Sequence, residues 1–92
     1  MTPHMDAYEK LVEQEDQLVK RVWICEETSN TIFYLLFQRG DAISLSTCRN
    51  ILTEIQQIRE RLQNDLLNLR LEKSMLSYRH AKQQRGREPV EE

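Results

Sequence analysis

Across the second half of the chain, one position in every seven is apolar: Cys48, Ile55, Leu62, Leu69 and Leu76. A seven-residue apolar repeat suits α-helices that pack along a shared seam, and it suits little else. Ile51 and Ile58 complete the first two heptads, and after Leu62 the companion position moves to Leu66. That change of spacing predicts a stutter, which relaxes left-handed supercoiling locally. The second helix is expected over about residues 46–83, capped by Ser44 or Ser46. With Ser44 as the cap, Ile43 is placed to staple against Cys48.

The first half carries a second stripe. Tyr8, Leu11, Leu18, Val22, Cys25, Ile32 and Leu36 recur at intervals built from three and four, with Glu15 and Ser29 as polar substitutes. Val12, Val19 and Phe33 widen it on one flank. This helix is expected over about residues 5–38, with Thr2 as N-cap and Pro3 at its first position. Gly40 is expected to close it in the left-handed conformation, which leaves a turn over about residues 40–45. The segment Glu26–Thr31 is a poor helix former, and Thr31–Phe37 can also be read as a strand. A lone strand has no partner here, so the expectation is continuous helix, with a kink near Ser29 as the variant.

Only two glycines and two prolines interrupt 92 residues, which favours long uninterrupted elements. Charge points to an antiparallel hairpin. Residues 1–19 hold five acids and one base, residues 70–87 six bases and one acid, and a turn near residue 42 sets these segments side by side. The expected fold is therefore all-α: an antiparallel, coiled-coil-like two-helix hairpin over residues 1–84, with 85–92 as a disordered tail.

Apolar residues exceed what one seam can hide. Trp23, Tyr34 and Phe37 fall together beside the first stripe, extended by Ile24 and Leu35. Leu67, Leu71, Met75 and Tyr78 form a second ridge at intervals of four, four and three. A helix apolar around much of its circumference is buried on more than one side, so the hairpin is expected to be completed by self-association or by a partner helix. The plainer reading is that these ridges are only the normal width of a core-facing stripe. These seven residues are the candidate protein interface, because aromatic side chains concentrate where binding energy does.

Other chemistry has little support. No nucleophile has a base at a recognisable spacing, glycine is too scarce for a phosphate-cradling loop, and His4 and His80 make a poor metal site. No enzyme activity, metal or cofactor is expected. The hairpin sets Cys25 opposite about residue 59, so a bond to Cys48 is not expected. Arg39-Gly40-Asp41 spells an adhesion tripeptide but falls where a helix end calls for a cation and a glycine. Residues 79–87 are basic and could touch nucleic-acid phosphates, yet they lack interleaved aromatics.

The longest apolar run, Ile32 to Phe37, is six residues against the roughly 20 a spanning helix needs, and the start lacks the pattern of a signal peptide. A cytoplasmic, reducing setting is the default. In length, hairpin plan and surplus apolar face the chain is similar to the small helical-hairpin co-chaperones of secretion systems and to short subunits of coiled-coil assemblies. That resemblance is one of plan, without a shared motif. The expected function is a non-catalytic adaptor or chaperone-like subunit that binds a different protein. A homo-oligomeric coiled-coil scaffold is the alternative, and a nucleic-acid regulator acting through residues 79–87 is the third.

Overall fold

The computed structural model describes residues 3–87, with side chains from Asp6 to Gln84. Pro3–Arg39 forms helix α1 and Leu45–Arg87 forms helix α2. Among the described residues there is no strand, so Thr31–Phe37 is helical. The two helices fold back on each other into a rod of 75 × 25 × 17 Å. The expected Thr2 cap lies outside the described residues.

Two hydroxyls in the weak segment of α1 bond back to carbonyls one turn earlier in the helix. Thr28 Oγ1 donates to the Ile24 carbonyl at 2.7 Å, and Thr31 Oγ1 donates to the Glu27 carbonyl at 2.9 Å. Such back-bonding satisfies the hydroxyl inside the helix instead of leaving it to compete for the backbone.

Ser44 caps α2. Its Oγ accepts from the Thr47 amide at 3.2 Å, and its carbonyl accepts the first helical bond from the Cys48 amide at 3.1 Å. Ile43 is half-buried and Cys48 buried, as a hydrophobic staple requires. Between the helices, the Ala42 amide donates to the Arg39 carbonyl at 3.0 Å, a tightened final turn.

Gly40 departs from its expected conformation, because it does not have a positive φ. The glycine answers a close approach instead. A Cβ there would lie 2.9 Å from the Leu36 carbonyl oxygen, which is backbone and cannot swing aside. The expected end of α2 also shifts: the helix continues through Gly86 to Arg87, past the expected boundary near residue 83. A glycine in a last turn lowers helix propensity without forbidding the helix. The rest of the expected tail, residues 88–92, lies outside the described residues.

The seam follows the expected stripe on α1. Leu11, Glu15, Leu18, Val22, Cys25, Ser29, Ile32 and Leu36 are all half-buried. On α2 the stutter is absent. Cys48, Leu52, Ile55, Arg59, Leu62, Leu66, Leu69, Lys73, Leu76 and His80 are the buried and half-buried positions, spaced by alternating fours and threes throughout. Ile51 and Ile58 stand on the flank, 43% and 42% exposed. A single regular register places Leu52 and Arg59 inward. Arg59 fits because its aliphatic stem lines the seam while its guanidinium reaches toward Glu26, 4.0 Å away.

Candidate protein interface

The seam buries little. Among the described residues only Cys48, Leu66 and Leu69 fall to 8% exposure, and no large side chain is fully buried. The chain exposes 7803 Å². A compact monomer of 11.0 kDa is expected to expose about 5,600 Å², so roughly 2,200 Å² is in excess. A two-helix rod has no second layer to cover its outer faces.

Each seam fixes which side chains point outward, because positions one, two and five residues after an inner seam residue face away from or beside the partner helix. On α1, Trp23, Tyr34 and Phe37 occupy the side turned away from α2. Trp23 and Tyr34 are each 59% exposed, and Phe37 reaches 88%. The Tyr34 hydroxyl accepts from Gln38 Nε2 at 2.7 Å, which holds that ring along the helix surface. On α2, Leu67, Leu71, Met75 and Tyr78 lie on the outward side and are about half exposed. All seven expected interface residues are therefore open to solvent.

The structure does not gather them into one patch. Glu15 meets Lys73 and Glu26 approaches Arg59, so residue 23 lies level with about residue 63. The α1 ridge thus occupies the half of the rod near the turn, and the α2 ridge the half near the free ends. The two face away from each other across the hairpin.

Sequence reasoning missed part of the surface. Phe33, assigned to the flank of the stripe, is exposed, as is Leu45 at the start of α2. With Leu36 and Leu52 they line a shallow groove beside the turn, rimmed by Arg49 and Gln56. The available signal was the uncharged run Thr28–Gln38, eleven residues in which no face of the helix is marked for water by a charge.

The electrostatic centre of the hairpin is Glu15. Its Oε1 accepts from Lys73 Nζ at 2.6 Å, and its Oε2 accepts from Arg70 Nε at 2.8 Å. Lys73 Nζ also stands 6.0 Å from the centre of the Tyr8 ring, at the edge of cation–π range. The hydrogen bond from Lys73, seconded by that from Arg70, holds the Glu15 carboxyl below its ordinary value of 4.5. The same bond raises Lys73 above 10.5. One acid of the N-terminal segment thus joins two bases of the C-terminal segment, which realises the charge asymmetry as an antiparallel contact.

Cys25 and Cys48 are both free thiols. Among the described residues, no three His, Cys, Asp or Glu side chains are placed to hold a metal ion. No described helix is long and apolar enough to cross a membrane. Comparison with protein-family models, with curated proteins and with solved structures finds no match to this chain.

Proposed function

We propose that this protein is a non-catalytic helical interaction module, a small adaptor or chaperone-like subunit that buries its exposed apolar ridges against helices of a partner protein. The observation that carries this reading is the surface of about 2,200 Å² beyond that expected of a compact monomer, with Trp23, Tyr34 and Phe37 concentrated on one outward face. Burying one large apolar side chain is worth about 1.5–3 kcal/mol, so several such side chains supply ample driving force for association. The grooves along the rod are open to solvent. A cytoplasmic setting goes with two thiols that stay unpaired.

A homo-oligomeric scaffold is the second reading, favoured by the placement of the ridges on opposite outer faces. Nucleic-acid binding through residues 79–87 has weaker support, since part of that stretch, Arg79 and His80, sits in or beside the hairpin seam.

The test is capture of the protein's partner by the intact chain and by a Trp23→Ala, Phe37→Ala variant, with helicity followed by circular dichroism. The variant is expected to keep its helicity and lose capture by about tenfold or more, as removal of aromatic anchors does elsewhere. Capture that survives the double substitution would show that the ridge is not the binding surface.

A further inference from the structure

We infer that the hairpin has a built-in yield point: at the level of Ser29 and Arg59, α1 opens locally while the packing on both sides of that level holds. The inference concerns the seam, so it stands apart from what covers the outer ridges.

Three observations meet at this level. The first is sequence. Residues 26–31 read Glu-Glu-Thr-Ser-Asn-Thr, and serine, asparagine and threonine all rank below the straight-chain residues as helix formers. The hydroxyls of Thr28 and Thr31 bond back to carbonyls one turn earlier, an arrangement that slightly weakens a helix and tends to bend it. The second is packing. On α1 the seam runs Cys25, Ser29, Ile32, and on α2 Ile55, Arg59, Leu62, so both stripes lose their apolar member together. Ser29 is too short to fill the space, and with Asn30, Gln56 and Arg59 it lines a notch of about 320 Å³.

The third observation is an unmet hydrogen bond. Among the described residues, Arg59 Nε is the one buried side-chain polar atom without a hydrogen-bond partner. The Glu26 carboxylate stands 4.0 Å away, beyond hydrogen-bond length. A buried donor without an acceptor carries the full cost of its lost hydration, and that cost is recovered when the layer opens and water reaches the guanidinium.

The seam is closed more firmly on either side. Toward the free ends, Leu66 and Leu69 are buried, and Glu15 is held by both Lys73 and Arg70. Toward the turn, Cys48 is buried and Ser44 caps α2. An opening at Ser29 therefore ends where these contacts begin, which gives a stretch of low local stability inside a folded unit. Tyr34 and Phe37 lie on the turn side of that level and Leu67 to Tyr78 on the other, so the opening lets the two groups change direction relative to each other.

Hydrogen exchange of the intact chain, read peptide by peptide by mass spectrometry, tests this. In the wild type, amides of residues 26–31 are expected to exchange about tenfold or more faster than those of residues 15–22 on one side and 32–36 on the other. Arg59→Leu removes the unmet donor and fills the notch from the opposite helix. It is expected to slow exchange at residues 26–31 by about tenfold, with smaller changes elsewhere on α1. Arg59→Met keeps the unbranched stem, is expected to act alike, and stands in should the leucine variant lose its fold. A wild-type profile that is level across α1, or that rises steadily toward the turn, overturns the inference. So does fast exchange at residues 26–31 that substitution of Arg59 leaves unchanged, since the weakness would then belong to the sequence of α1 alone and not to the seam.

Discussion

Leu66 and Leu67 are neighbours of identical chemistry with opposite fates, and replacing each by alanine isolates what the seam contributes. Leu66 is 8% exposed and Leu67 is 55% exposed. Both substitutions change helix propensity equally, so that effect cancels in the comparison. Full burial of a leucine side chain is worth about 1.5–3 kcal/mol, and truncation inside a packed seam adds a cavity cost. For Leu66→Ala this gives about 2–3 kcal/mol, the low end of the buried range, because a two-helix seam can collapse more readily than a layered core. Leu67 has about half its surface covered, mostly by its own helix, and leaves no enclosed cavity, so Leu67→Ala costs under about 1 kcal/mol. The expected gap of about 1.5–2 kcal/mol is more than a tenfold difference in the folding equilibrium. Urea unfolding followed at 222 nm, at a concentration low enough to keep every chain monomeric, reads it directly. Equal losses for the two variants, or a larger loss for Leu67→Ala, would mean that the seam has been placed on the wrong face of α2.

Other expectations concern the turn and the charged contact. Gly40→Ala is expected to destabilise the hairpin by about 1 kcal/mol despite alanine's better helix propensity, since its Cβ meets the Leu36 carbonyl oxygen at 2.9 Å; an unchanged or raised urea midpoint refutes this. Ser44→Ala removes the α2 cap and is expected to cost about 1 kcal/mol, read in the same way, whereas Ser46→Ala should be nearly silent. The Glu15 contact predicts a pH window. Glu15 is held below 4.5, so its contribution is present above that value and is lost as pH falls through the lowered one. Lys73 is raised above 10.5, so its contribution is complete below that value and is lost as pH rises through the raised one. The stability difference between wild type and Glu15→Gln should therefore be level between about pH 5 and 10 and shrink outside; a difference that grows on acidification contradicts the assigned contact.

Much of the architecture was legible in the residues themselves. Scarce glycine and proline, a single break at Gly40, and apolar spacing of three and four dictate two long helices and one turn. The α1 stripe needed no revision, because its polar members Glu15 and Ser29 are isolated and the neighbours on either side fix the phase. The α2 companion row was ambiguous for a physical reason. Ile51 and Leu52 are both apolar, and at the next heptad isoleucine at 58 outranks arginine at 59 on hydrophobicity alone. Packing decides otherwise, since Leu66 and Leu69 set a register that must hold along the whole rod, and an arginine can line a seam with its stem. Gly40 shows the same limit: its identity marks a helix end, while the reason for it, contact with a carbonyl four residues back, exists only in three dimensions. The ridges could be read from helical intervals. Their separation to opposite sides and ends of the rod could not, because it depends on how the two helices are aligned.

The charged layer also explains how so thin a structure keeps its alignment. A zipper of leucines alone would mesh almost as well after sliding one helix by a heptad, because each aliphatic tooth finds another. Here that slip would carry the Glu15 carboxylate away from Lys73 and set it against Leu66 or His80, stripped of its charged hydrogen bond. The misaligned comb is rejected by one ionised tooth, and the loop at Gly40 is relieved of having to measure the helices against each other.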